Sequence, residues 1–155
     1  MTDIERRHWL RALTALPPET LAAVAGELDA GWAMTYKTRP QAGLGMLQLR
    51  DGALHEAYYL GEFPLAHCWL TLSGPDGESY QGAAQVMADD PDLARALAVL
   101  DAVLAHRLPG WERVSELVET GQAARAEEDR IRARILAATR VDFTLLSATE
   151  AGDDD

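Results

Sequence analysis

The chain has 155 residues, 48% of them hydrophobic, which suffices for one domain with a true core and is short for two. Its formal net charge of −11 argues against a nucleic-acid binder, because phosphate backbones are held by Lys and Arg that displace counterions. A single cysteine, Cys68, excludes an internal disulfide, and no window approaches the roughly 20 apolar residues that span a bilayer.

Asp3 is placed to cap a first helix in which Trp9, Leu10, Leu13 and Leu16 recur at helical spacing, and Pro17-Pro18 stops it. Pro18 suits the first turn of a second helix with Leu21, Val24, Ala25 and Leu28 on one face and Gly31 as a left-handed C-terminal cap. The chain therefore opens with a helical hairpin.

From Trp32 the period becomes two. Trp32, Met34 and Tyr36 share a face, Pro40 to Gly43 reads as a turn, and a strand follows from Leu44 to Arg50. Asp51-Gly52 signals a tight hairpin into a third strand over Leu54 to Leu60. A fourth, Leu65 to Leu72, sets Ala66, Cys68, Leu70 and Leu72 on one side, and a turn at Gly74-Pro75-Asp76-Gly77 leads to a last strand over Ser79 to Val86. The expected sheet is an antiparallel meander.

Asp90-Pro91 reads as N-cap and first-turn proline of a long helix whose Leu93, Leu97, Leu100 and Leu104 are joined by Ala96, Val99 and Val103. Pro109-Gly110 ends it. A final helix runs from about Trp111 to Ala137, with Val114, Leu117, Val118, Ala124, Ile131 and Ile135 as the inner stripe. Gly121 is a candidate kink, and Glu128 with Arg132 a supporting surface pair. The polar block Arg125 to Arg134 reads either as a solvated face or as a surface laid across a partner. The expected fold class is α+β: N-terminal helical hairpin, antiparallel meander, two long C-terminal helices and a short final strand. Residues 1–149 form one domain in this reading, and 150–155 an acidic, disordered tail.

No segment has the local geometry of a catalytic device. Gly43-Leu44-Gly45 precedes a strand, whereas phosphate loops follow a strand and open a helix. His67 and Cys68 are adjacent on a strand and so face opposite sides, which makes Cys68 a buried structural thiol. His8, His55, His67 and His106 are scattered, so no metal site is expected, although Glu62 and His67 or His55 and Glu56 are the pairs that folding could bring together. Two segments stand out. Glu62 follows Leu60-Gly61 at an expected strand end, where it could accept hydrogen bonds from a partner's arginine or a ribose hydroxyl, or satisfy a local turn. In Thr139-Arg140-Val141-Asp142-Phe143 an extended chain puts Arg140 and Asp142 on one face and Val141 and Phe143 on the other, a strand that needs a neighbour in its own sheet or on another subunit.

Several segments, in this order and spacing, resemble the PhnG family. They are Arg7-His8-Trp9-Leu10 with Ala12-Leu13, Arg39-Pro40 with Gly43-Leu44 and Met46, Tyr59-Leu60-Gly61-Glu62, Asp101-Ala102, and Ala138 through Phe143. Two family arginines are absent: Ala66-His67 stands where the family usually carries Thr-Arg, and Met87-Ala88-Asp89 where it carries Gly-Arg-Asp. The resemblance implies the G subunit of the cytoplasmic carbon-phosphorus lyase core complex, with I, H and J subunits as partners and ATP-binding-cassette proteins able to attach. It implies a complex that exchanges the adenine of ATP for an alkylphosphonate such as methylphosphonate, forming ribose 1-phosphonate 5-triphosphate. After pyrophosphate release, a partner using S-adenosylmethionine and an iron-sulfur cluster cleaves the carbon-phosphorus bond. No cofactor, catalytic residue or metal is assigned to this chain itself. Neither nucleic acid nor membrane is an expected partner, and a homodimer of the isolated chain stays open. Glu62, Arg140, Asp142 and Phe143 are the interface or shared-site candidates. Two further readings compete with an accessory subunit: direct contribution of substrate-binding residues to a shared active site, and a free-standing small-molecule binding protein, which the low cation count disfavours for a dianion.

Overall fold

The computed structural model describes residues 4–75 and 77–139. The chain divides into two compact units, Met1–Ala124 and Arg125–Asp155. In the first, a single 3-10 turn, Arg6–His8, leads into α1 (Trp9–Leu13), followed by α2 (Pro18–Leu28), with Pro18 in its first turn as its fixed φ favours. Leu13, Leu21, Val24 and Ala25 are buried as their spacing demands. Asp3, the expected cap, lies outside the described residues. Gly31 is not the left-handed cap: α2 closes on Asp29 in right-handed conformation, and the Asp29 carbonyl accepts the N–H groups of Gly31 and Trp32, so the exit needs no left-handed residue.

Three strands stand where the sequence suggested five. They are β1 (Ala33–Arg50), β2 (Ala57–Ser73) and β3 (Ser79–Val86), antiparallel in the order β1-β2-β3. The expected turn at Pro40 to Gly43 is instead a bulge within β1, between the pairs Thr38↔Trp69 and Gln41↔His67. β1 is an edge strand, so the missing N–H of Pro40 sacrifices no obligatory ladder bond. Likewise Gly61, at φ 148°, does not end a strand but absorbs an extra residue in β2, opposite the step from Leu47 to Gln48. Asp51-Gly52 forms no two-residue turn. The β1–β2 loop spans residues 51–56: the Asp51 carboxylate accepts the N–H groups of Ala53 (3.2 Å) and Leu54 (2.7 Å), and His55 takes a left-handed φ of 55°.

Asp90 caps α3 (Pro91–His106) by accepting the Leu93 N–H at 2.9 Å. From Leu93 to Leu104 almost every side chain of α3 is buried, which makes this helix the centre of the core rather than a lid on it. Ala66, Cys68, Leu70 and Leu72 of β2 and Ala84 of β3 meet it from the sheet. Contact is close enough at Gly82 that a Cβ there would stand 2.1 Å from the Ala98 carbonyl and 2.7 Å from the Ala102 methyl. Arg107, in left-handed conformation, ends α3, and α4 runs over Trp111–Ala138.

Gly121 does not divide α4, which runs unbroken from Trp111 to Ala138. It permits close approach to α1, since a Cβ there would lie 2.1 Å from the Ala12 carbonyl. Val114 and Val118 are buried, but Ile131 and Ile135, expected on the inner stripe, are exposed. Among the described residues the second unit consists of the end of α4 alone, with no second element to bury them. Three of its ion pairs stand at i,i+3, among them Arg125 to Glu128 at 2.8 Å and Arg132 to Asp129 at 3.9 Å, and the expected Glu128 to Arg132 pair is not among them. The final strand of the sequence reading, with Arg140, Asp142 and Phe143, and the acidic tail lie outside the described residues. The α+β class, helical hairpin, meander and two long helices are otherwise as expected.

Gly82→Ala should lower stability by about 1–3 kcal/mol by overpacking the sheet-helix contact. Gly43→Ala, where a Cβ would meet nothing within 4 Å, should stay within about 0.5 kcal/mol. Denaturant unfolding of the two variants checks this.

Candidate protein interface

Helix α3 has 16 residues, so its axis covers about 24 Å at 1.5 Å per residue. Strand β2 has 17 residues and, at roughly 3.3 Å each, extends about 56 Å. The helix therefore cannot cover the ribbon that β2 forms with β1. Strand β3 pairs only with the half from Ala66 to Ser73, and beyond it residues 43–65 continue as a two-stranded arm.

The register fixes the two faces of this arm. Ala42 pairs with the buried Ala66, so the same-parity pairs Leu44↔Pro64 and Met46↔Glu62 continue the face that α3 covers farther down. Past the bulge, Gln48↔Tyr59 carries on this face. The opposite face holds Gly45↔Phe63, Leu47↔Gly61 and Leu49↔Tyr58. There the Phe63 ring lies on Gly45, where a Cβ would stand 2.6 Å from it, so Phe63 fills the gap that glycine leaves in the pleat. Leu44 (71% exposed), Met46 (58%), Tyr59 (61%) and Leu60 (65%) lie open, with Leu47, Leu54 and Tyr58 also exposed. Scattered surface apolar residues are ordinary, but a continuous set on a two-stranded ribbon, marginally stable by itself, makes this surface a candidate interface.

Glu62 lies inside this surface. It is mid-strand, not at a strand end, exposed, and opposite Met46. It does not converge with His67, which points to the other face and meets Gln41 at 2.7 Å between side-chain nitrogens. Cys68 is buried, and burial pushes its thiol pKa up, opposed by the charge of Arg95. A thiol held neutral in this way is a packing group, not a nucleophile. Among the described residues no cluster of three His, Cys, Asp or Glu is placed to hold a metal, and no helix is long and apolar enough to cross a membrane.

One polar constellation escaped the sequence reading. The buried Asp101 carboxylate accepts two hydrogen bonds from Arg6, at 3.0 Å from Nε and 2.7 Å from Nη2, and a third from the Ala83 N–H at 3.0 Å. The bond to Asp101 is the main cause of a raised Arg6 pKa, with burial opposing it. Close by, His106 Nε2 lies 3.2 Å from the Gln81 carbonyl. Asp101 and His106 thus engage backbone groups of Ala83 and Gln81 on β3, an edge strand of the sheet. The signal for this was a lone acid within the apolar run of α3. At the other side, Arg95 reaches both Asp29 of α2 and the Tyr36 hydroxyl of β1, which anchors the base of the ribbon.

The family model for the phosphonate metabolism protein PhnG matches residues 4–147. This chain belongs to the PhnG family. It is also 33% identical over 149 residues to the alpha-D-ribose 1-methylphosphonate 5-triphosphate synthase subunit PhnG of Rhizobium meliloti (strain 1021), covering 90% of this chain and 86% of that one. The segments that carry the PhnG resemblance fall on joints of the fold. Arg39-Pro40 forms the β1 bulge, Tyr59 to Glu62 the β2 bulge and the exposed face, and Asp101-Ala102 the contact to β3 and Gly82. At Ala66-His67, Ala66 is core and His67 is bonded to Gln41 on the opposite face.

Arg6→Ala should cost about 1–2 kcal/mol, in the lower part of the range for charged hydrogen bonds because the guanidinium is half exposed. Arg6→Lys should recover only part, since an ammonium cannot make the paired bonds. Arg7→Ala, which breaks only an exposed pair with Glu5, should be nearly neutral in the same denaturation experiment.

Proposed function

We propose that this chain is an accessory, non-catalytic subunit of a ribose 1-methylphosphonate 5-triphosphate synthase, acting in organic phosphonate catabolism in the cytoplasm. In this reading the complex exchanges the adenine of ATP for an alkylphosphonate, and the chain contributes by ordering the partner that performs the exchange. The carrying observation is the apolar arm of residues 43–65, an exposed surface of the kind that assembly covers. The Rhizobium relative, named as a subunit of that synthase, supports the same reading. The I, H and J subunits of the carbon-phosphorus lyase core are the proposed partners, with ATP-binding-cassette proteins attaching to the assembly. ATP and methylphosphonate are substrates of the complex, while S-adenosylmethionine and the iron-sulfur cluster belong to a partner. The free energy of association would go into fixing the partner's active-site geometry.

Glu62 favours a second reading, because it is an exposed carboxylate set among apolar groups, with no side-chain partner among the described residues. It could hold a ribose hydroxyl in a shared active site. Arg140, Asp142 and Phe143 remain candidates for the same interface or site.

Co-expression with the other subunits separates the readings. The double variant Leu44→Ser/Met46→Ser should lose assembly and turnover of ATP with methylphosphonate together. Glu62→Ala that abolishes turnover in a fully assembled complex would overturn the accessory role, as would turnover by the isolated chain.

A further inference from the structure

Building on the accessory reading, we infer that the α3-side face of the arm docks a different polypeptide, through an apolar surface bearing an arginine or lysine that pairs with Glu62. The face is defined by Leu44, Met46, Pro64 and Tyr59, with Glu62 among them. It continues the sheet surface that α3 covers at Ala66, Cys68, Leu70 and Leu72, so the partner takes, beyond the reach of α3, the place that α3 takes at the base.

Charge selects the occupant. Residues 41–65 carry Asp51, Glu56 and Glu62 against Arg50, within a chain of net charge −11. The complement of the arm is therefore apolar with excess positive charge. Covering Glu62 with apolar groups alone would strand a carboxylate away from water, at a cost that a paired cation removes. A second copy of this chain is the weaker fit, since both molecules are strongly acidic. A self-complementary arrangement would need a two-fold axis near the Gln48↔Tyr59 pair, which brings Glu62 towards Arg50 of the other copy.

The test uses the co-expressed synthase complex and the full chain. Glu62→Arg should weaken association at least tenfold, and Glu62→Gln by less while flattening the salt dependence of the wild-type affinity. Leu44→Ser/Met46→Ser should abolish it, and all three should melt like the wild-type chain because the arm lies outside the α3 core. Loss of assembly in the apolar variant with full affinity in Glu62→Arg would overturn the cation pairing and leave the accessory role standing. Unchanged assembly in every variant would overturn both. A dimer of the isolated chain that Glu62→Arg breaks and added Arg50→Glu restores would overturn the inference in favour of a second copy.

Discussion

Burial of α3 against one half of a ribbon twice its length is the constraint from which the rest of the first unit follows. A helix apolar on nearly every side from Leu93 to Leu104 must be surrounded, and β2, β3, α2 and the flanking helices supply the cover. Gly82 and Ala102 bring the sheet to within backbone distance of the helix, which fixes where the sheet sits along it. Once that position is set, residues 43–65 have nowhere to go but outward.

The two edges of the sheet are treated differently. Asp101, with Arg6 behind it, and His106 bind backbone groups of Ala83 and Gln81 in the middle of β3, so this edge is partly engaged from α3. Strand β1 carries its bulges and Pro40 along the other edge, and Arg95 fastens its base through Tyr36. What remains uncommitted is the arm, whose Leu44, Met46, Tyr59 and Leu60 would not persist on a surface that water alone must solvate without some return in binding. The proposed function thus places the contact at the least packed end of the unit, on a well-packed base.

Much of this was legible in the residues. Asp90-Pro91 announced the start of α3, and the alternation Ala66, Cys68, Leu70, Leu72 announced the buried face of β2, because capping and pleating are local effects. Pro40 and Gly61 misled for the converse reason. Both are local breakers, and only knowledge that β1 is an edge and that β2 can bulge turns them from strand ends into irregularities within long strands. Gly31 and Asp51-Gly52 were overread in the same way. Ile131 and Ile135 have the right spacing for an inner stripe, yet periodicity says only that a face is apolar, not that anything covers it. Asp101 pairs across 95 positions with Arg6, beyond any pattern rule. Of the candidate site residues, Glu62 lies exposed within the arm's apolar face, while Arg140, Asp142 and Phe143 lie outside the described residues.

Membership of the PhnG family and an uncovered arm support the proposed picture of an α3-centred base that presents a ribbon for another protein to complete. Amide hydrogen exchange reports this directly, because it resolves the arm from the core within the same chain. In the isolated chain, amides of 43–49 and 57–63 should exchange far faster than those of 66–72, and joining the synthase partners should slow the arm by at least tenfold with little change in the core. An arm already as protected as the core when alone, or one that gains no protection in the assembled complex, would contradict the account.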